Sequence, residues 1–339
     1  MTVAEDLRVG IIGVGLMGAD HAERLVTRIA GARLVAVSDA DAARTAMMTG
    51  QFAGVRAFAD PLALIADDGV DAVLIASPGF AHEEQVLACL ERRKPTLCEK
   101  PLTMDAESSL RLVEAERAAG PPLVQVGFMR RFDPEYVRMK SLLDGGSLGR
   151  TLLLHNVHRN RSVPSAAFRS EMIVRDSLVH EVDVCRWLFG QEIDEITVLA
   201  PAPTSRAAEG VLDPQVAIFR MSGGGLATTE VFVNSQVGYE VRCEAVAELG
   251  TVTIGLGQDV LVRSAGRYGG EVPADYRPRF VRAYDLEVQA WVDASRRGEV
   301  VGPTTWDGYA ASVVCEAGLA SLASGHPVPV TLAPLSISA

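Results

Sequence analysis

Apolar positions along the chain change their spacing once. From Leu7 to about Gly127, short apolar runs (LRVGII, RLVAVS, DAVLIA, PTLC, PLVQVG) alternate with stretches of helical period such as HAERLVTRIA, EEQVLACLERR and AESSLRLVEAERAAG. That alternation predicts parallel strands joined by crossover helices, a doubly wound sheet. After a further helical stretch, DPEYVRMKSLLD, and the turn DGGSLG, the period shortens to two in TLLLHNVH, QVAIFRMS, ATTEVFVNS and YEVRCEAVAEL. Alternation of that kind predicts half-buried strands, with Gly223 to Gly225 as a hairpin turn. Two late helices, FVRAYDLEVQAWVDASRR and WDGYAASVVCEAGLA, are expected to cover one side of that sheet. The fold class is therefore α/β, a Rossmann-type parallel sheet followed by an α+β domain with an open, mostly antiparallel sheet. The expected boundary puts residues 1–127 in the first domain and 128–339 in the second.

A chain of 339 residues is long enough for two domains with separate cores. Composition adds mainly exclusions. A net charge of −11 repels phosphate backbones and anionic membranes, so nucleic acid is not expected as a partner. No apolar run reaches the roughly 18 residues of a membrane span, and Glu5 and Asp6 stand where a secretion signal is basic. These features point to the cytoplasm. Cys89, Cys98, Cys185, Cys243 and Cys315 are scattered, without CxxC or CxxH spacing, and read as buried reduced thiols; no metal is expected.

The first strand runs straight into GVGLMG, which places Gly13, Gly15 and Gly18 at the spacing of a dinucleotide-binding turn. Gly13 permits the turn, Gly15 lets backbone approach a pyrophosphate, and Gly18 lets a helix starting near Leu16 and Met17 pack on the strand. The helix N-terminus then stabilises the anion. Asp39 closes the second strand 21 residues beyond Gly18, where a carboxylate accepts from the adenosine ribose hydroxyls. It favours NAD, because a ribose phosphate would meet its charge, and Ala40 and Asp41 offer no cation. The lesser alternative is that Asp39 caps the helix that follows, and the two roles are compatible.

Glu99, Lys100 and Pro101 end a later strand, on the carboxyl edge of the sheet where such cofactors and their substrates meet; on composition alone Lys100 is also an ordinary surface lysine. In RDSLVHEVDVCRWLFG, a helical period puts Asp176, His180, Asp183 and Trp187 on one stripe and Leu178, Val182, Cys185 and Phe189 opposite. A carboxylate four residues from an imidazole raises and orients it, which suits removal of a hydroxyl proton while a hydride leaves the same carbon. The alternative is a solvated polar face. Smaller signals are His82, read as a helix-start residue near the cofactor, the run FMRRFD with ion-pairing Arg130 and Arg131, and His158, read as a packed strand residue.

Together GVGLMG with Asp39, the Glu99-Lys100-Pro101 triplet and the Asp176–His180 helix resemble the glucose-fructose oxidoreductase and inositol dehydrogenase (Gfo/Idh/MocA) family over nearly the whole chain. GFMRRFD, HRN, RDSLVHEVDV, VNSQVGYE, RFVRAYDLE and GPTTWDGYAA look like its inositol 2-dehydrogenase branch. The resemblance implies NAD-dependent oxidation of myo-inositol to 2-keto-myo-inositol, with Lys100, Asp176 and His180 as the catalytic set. It implies that Met129, Asn160, Tyr239 and Tyr284 join Asp176 and His180 in binding the polyol. It further implies that Ser77, His82, Glu99 and Lys100 attend the cofactor with the glycine turn, and that the C-terminal sheet builds a homotetramer. One departure is Ser77 to Phe80, SPGF, where part of the family has tryptophan, so the preferred polyol (myo-inositol, scyllo-inositol, D-chiro-inositol, or an aldose such as glucose) stays open. A nucleotide-sensing regulator on the same fold is the other class, and it would be expected to have lost Lys100 or His180.

Overall fold

The computed structural model describes residues 5–163, 167–257 and 262–334. It divides into two compact units, one of the chain up to Phe132 with Ala283–Ser312, the other of Asp133–Arg282 with Val313 onward.

The first unit is built on β1 (Leu7–Ile12), α1 (Leu16–Thr27), β2 (Ala32–Ser38), α2 (Ala42–Gln51), β3 (Arg56–Phe58), α3 (Pro61–Ala66), β4 (Ala72–Ile75), α4 (His82–Glu91), β5 (Thr96–Glu99), α5 (Ala106–Ala119) and β6 (Val124–Gly127). All adjacent strands pair in parallel, in the order β3-β2-β1-β4-β5-β6. The order reverses between β1 and β4, and in such sheets ligands bind outside the carboxyl ends of the strands at that switch. Strands β4, β5 and β6 are buried at every position, as expected of a sheet covered on both faces. The stretch from Ala42 to Ala66 holds elements with weak apolar signal: α2 buries only Thr45 and Met48, and β3 is an exposed three-residue edge.

Val288, Trp291 and Val292 join the core of β1, β2 and α1, so residues far down the chain complete this unit. Buried Glu116 pins the same segment: one carboxylate oxygen accepts from the N–H groups of Leu123 and Val124, each at 2.8 Å, and the other accepts from Thr305 Oγ1 at 2.7 Å. A buried carboxylate with three donors is satisfied where a lone one would be costly.

The second unit contains α6 (Pro134–Asp144), β7 (Thr151–Arg159), α7 (Ser170–Met172), α8 (Val179–Phe189), β8 (Ile193–Leu199), β9 (Gln215–Met221), β10 (Leu226–Phe232), β11 (Glu240–Ala247), β12 (Gly250–Ile254), β13 (Val262–Ser264) and β14 (Arg267–Gly269). Helices α9 (Tyr276–Ser295) and α10 (Thr305–Ser324) and strand β15 (Val328–Pro329) follow. The seven-stranded sheet has the order β12-β11-β7-β10-β9-β8-β15. Every pair is antiparallel except β7 with β10, which run parallel; the helices and two strands between them supply the long connection a parallel pair needs. The expected hairpin turn is present, with Met221 N–H donating to the Gly225 carbonyl and Gly224 at positive φ.

Alternation divides the sheet cleanly. Leu154, Asn156, His158, Phe219, Thr229, Val231, Val241 and Cys243 are buried on one side. Val157, Ile218, Leu226, Phe232 and Val246 lie half-buried on the other, with Arg159 ion-paired to Glu230 and Glu240. All five cysteines are buried; burial pushes the Cys89 thiol up to about 12 and raises that of Cys98, which suits inert packing residues. No described helix is long and apolar enough to cross a membrane.

Candidate active site

In the first unit, Gly13, Asp39, Ser77 and Lys100 each follow the carboxyl end of a parallel strand, β1, β2, β4 and β5. Two turn glycines are required by contact. A Cβ on Gly13, which lies at φ +82°, would meet the Ser77 backbone at 2.4 Å, and one on Gly18 would meet the Gly13 carbonyl oxygen at 1.8 Å. Gly15 differs, because its Cβ would meet only Arg44 Nη1, at 3.4 Å. Its open side is where a ligand can come close to backbone. Helix α1 starts at Gly15 with no side-chain cap and no acidic residue in its first turn, whereas α2, α3, α5 and α6 are capped by Asp41, Asp60, Asp105 and Asp133. Its first-turn N–H groups and positive helix end fit a pyrophosphate.

Asp39 is fixed in place. One oxygen accepts from Val14 N–H and the other from Asp41 N–H, both at 2.8 Å. The helix cap foreseen for Asp39 falls instead to Asp41, which accepts from Ala43 N–H. The expectation of no neighbouring cation is corrected as well. The first turn of α2 brings Arg44 Nη1 to 3.8 Å from Asp39, a neighbour that inspection of Ala40 and Asp41 alone passes over.

Glu99 is buried at the end of β5 and accepts from the Lys100 N–H at 3.2 Å. Its other oxygen lies 2.9 Å from His21 Nε2 on α1. His21 Nδ1 is 3.1 Å from Arg24 Nη1; a guanidinium can only donate, so Nδ1 accepts and Nε2–H donates to Glu99. Arg24 Nε in turn donates to Asp285 at 2.8 Å. Burial pushes the Glu99 carboxyl up, but the hydrogen bond from His21 with the charge and N–H of Lys100 outweighs it and holds the group below its ordinary value. Tyr284 is buried against this line, edge-on to His21 at 5.9 Å and under Arg24 at 5.2 Å. His82, the first residue of α4, bridges the carbonyls of Ser77 and Pro101 at 2.8 and 2.9 Å. Burial lowers its pKa, which favours the neutral ring, and a neutral ring donates to one of the two. Met129 is buried in a short 3-10 turn after β6, and Arg131 pairs with Asp307 at 2.7 Å.

In the second unit, the expected single α-helix around Asp176 and His180 is interrupted. Residues Ile173–Leu178 form a π-helical turn between α7 and α8, so Asp176 and His180 do not stand in simple α-helical register. Nor is there a solvated face. Every residue from Ser177 to Arg186 is buried, His180 and Asp183 included, and Asp176 is half-buried. The amphipathic reading fails because this helix packs against sheet strands β7 and β10. His180 lies 6.4 Å, ring to ring, from His158 of β7, which is 6.0 Å from Tyr239. Glu181 holds His158 through Nδ1 at 3.2 Å. Asn160 follows β7, its N–H donating to the Phe232 carbonyl and its own carbonyl accepting from Ser235. The structure thus gathers His180, His158, Tyr239 and the Asp176 turn on one unit. Lys100, Met129 and Tyr284 belong to the other.

The sequence profile of the "Oxidoreductase family, NAD-binding Rossmann fold" (GFO_IDH_MocA) matches residues 7–128, and the "GFO/IDH/MocA C-terminal domain" matches residues 136–253. The chain belongs to this family. It is an NAD-binding oxidoreductase of the GFO/IDH/MocA type. "Inositol 2-dehydrogenase 2" of Mycolicibacterium vanbaalenii is 53% identical over 330 residues, covering 97% of this chain and 96% of the relative. The crystal structure of myo-inositol dehydrogenase from Lactobacillus casei, in complex with NAD(H) and myo-inositol, superposes with a TM-score of 0.94 at 34% identity, covering 97% of this chain and 98% of that one. That of apo scyllo-inositol dehydrogenase from the same organism has a TM-score of 0.91 at 25% identity, covering 97% and 99%.

Within this GFO/IDH/MocA oxidoreductase, three residues that touch expected site residues have no place in the sequence-based expectations: His21 against Glu99, Arg44 against Asp39 and Glu181 against His158. For His21 and Glu181 a signal was available in helical spacing: His21 stands three and four residues from Gly18 and Leu25, and Glu181 three and four from Leu178 and Cys185, all buried. Among the described residues no cluster of His, Cys, Asp and Glu could hold a metal.

The glycines make the cofactor site testable. Gly15→Val should weaken NAD binding at least about tenfold, since side-chain volume enters only the open side of the turn. Gly13→Ala and Gly18→Ala should instead lower the melting temperature, at roughly 1–3 kcal/mol each from backbone overlap. Isothermal titration with NAD and thermal unfolding of all three variants distinguish the two effects.

Proposed function

We propose that this oxidoreductase oxidises myo-inositol to 2-keto-myo-inositol, with Lys100, Asp176 and His180 as its catalytic set. Near full-length similarity to relatives named inositol 2-dehydrogenases supports the substrate class. The local observation that carries it is the buried set His180, His158 and Tyr239, ring to ring at 6.4 and 6.0 Å. Imidazole and phenol groups held in a packed wall suit a ring bearing hydroxyl groups on every carbon.

In this reading the bound NAD supplies the hydride acceptor. His180 takes the proton from the reacting hydroxyl, and Asp176 stabilises the imidazolium that results. The Lys100 ammonium holds the oxygen and stabilises the negative charge developing on it. Its backbone is anchored through Glu99, which supports a fixed position for the side chain. Asn160, Tyr239, Tyr284 and Met129 complete the substrate contacts, and Ser77 and His82 shape the cofactor side. Leu16 is exposed at the α1 N-terminus beside Met17, where the phosphates would lie.

The half-open sheet face of the second unit suggests assembly. Val157, Ile218, Leu226, Phe232 and Val246 alternate there with paired charges, and apolar strand faces of this extent are normally covered. A second copy of the sheet would cover it, and the homotetramer implied by the family resemblance follows from a further two-fold pairing.

His180→Ala and Lys100→Met should each lower turnover about 100-fold or more while NAD binding largely survives; near-normal turnover in either variant would remove that residue from the set. NADH formation with myo-inositol, scyllo-inositol, D-chiro-inositol, glucose and glucose 6-phosphate tests the substrate. Myo-inositol should lead, and an inverted hydroxyl that leaves a buried partner unpaired should cost roughly tenfold to a hundredfold. Preference for the phosphorylated sugar would overturn the neutral-polyol reading. Sedimentation should show an assembly several times the 36.1 kDa chain mass, and a monomer alone at micromolar concentration would count against the sheet interface.

A further inference from the structure

Arg44 has no assigned part in binding or chemistry, yet it stands at the ribose end of the dinucleotide turn. Its Nη1 lies 3.4 Å from where a Cβ on Gly15 would stand and 3.8 Å from Asp39 Oδ2, and its Nε lies 3.5 Å from Asp41 Oδ2. Neither ion pair closes to hydrogen-bonding distance. Forked pairs elsewhere in this unit do, as Arg56 does with Asp67 at 2.7 Å on both nitrogens. The Arg44 side chain is half exposed, whereas that of Asp39 is 8% exposed with each oxygen already accepting a backbone N–H. The carboxylate is thus the fixed, spoken-for group, and the guanidinium keeps donors to offer. A cation in the first turn of α2 gains nothing from the helix dipole, which favours acids there.

We propose that Arg44 is a specificity-determining residue for the cofactor, and that it partly offsets the discrimination of Asp39 against a 2′-phosphate. The ribose is joined to the pyrophosphate that approaches Gly15, and its 2′ and 3′ positions are those a carboxylate at Asp39 reads. A group close to both Gly15 and Asp39 is therefore within reach of a 2′ substituent. With NAD, Arg44 neutralises the two acids at the pocket rim. With NADP, it swings from these loose pairings to the added phosphate, a planar donor fork for which it is well shaped. The chain then prefers NAD but still binds NADP measurably, with a discrimination that depends on one exposed arginine. The inference rests on the cofactor site described above and concerns only its selectivity.

The test uses the full-length protein without substrate, titrated calorimetrically with ADP-ribose and with 2′-phospho-ADP-ribose. ADP-ribose should bind more tightly, and both should be detectable. In Arg44→Gln the ratio of the two dissociation constants should widen about tenfold, the effect of removing one charge-assisted contact, and Arg44→Lys should recover part of it. Raising salt should weaken the phosphorylated ligand more than ADP-ribose in the native chain, and this difference should shrink in Arg44→Gln. A ratio unchanged in Arg44→Gln, or equal weakening of both ligands, would overturn the proposal while leaving the cofactor site standing. Failure of ADP-ribose itself to bind the native chain would overturn both.

Discussion

A buried carboxylate at the end of one strand, Glu99, sets much of the first unit. It lies inside the protein, where an unpaired charge would be costly. The remedy recruits α1 through His21, then Arg24, and through it Asp285 on α9. The same helix α1 begins in the glycine turn, and the same carboxylate accepts the Lys100 N–H. The phosphate-binding end and the lysine are therefore held by one hydrogen-bonded line. Gly127 leaves room for it, because a Cβ there would stand 3.1 Å from the Glu99 carboxylate. Removing His21 from such a line leaves the Glu99 charge buried without that partner, which is far more disruptive than loss of a surface pair.

The second unit solves a related problem differently. Its central helix is buried on all sides and yet carries Glu181, Asp183 and Arg186. Glu181 is matched by His158 and Arg186 by Glu192. The opposed strand contributes Asn156, which donates to the Thr228 carbonyl. Imidazoles placed in such a wall keep fixed orientations, because each ring's neighbours are themselves packed. The π-helical turn just before α8 changes the direction of side chains at its junction, a device often found at functional sites.

The parallel sheet, its strands and the glycine turn were legible because their signals are local. Continuous apolar runs mark strands buried on both faces, and Gly13 and Gly18 are dictated by contacts with backbone only a few residues or one strand away. The chain from Ala42 to Ala66 was less legible, since α2 and β3 bury little and carry little periodicity. Around His180 the residue types were legible and the geometry was not. Period counting assumes an α-helix throughout, and it assumes that polar residues mark water; Ile173–Leu178 breaks the first assumption and Glu181 and Asp183 the second. The role of Ala283–Ser312 in completing the first core depends on contacts between residues more than 250 positions apart, such as Arg24 with Asp285. No local pattern records them.

Charge gives the last link between the sequence and the chemistry. The chain is acidic overall at −11, and a dinucleotide is itself anionic, so the long-range field does not draw the cofactor in. Attraction has to be local. It comes first from the uncapped start of α1, whose first turn carries no acidic residue while four other helix starts are occupied by aspartates. In the proposed site Lys100, which follows β5, and Arg44, in the first turn of α2, add two cations. Since exposed charges are screened within about 8–10 Å at physiological salt, the distant surface acids count for little beside these groups. An acidic chain and an anion-binding turn are therefore compatible: the net charge acts at long range and is screened, while the turn acts on a ligand already in contact with backbone N–H groups.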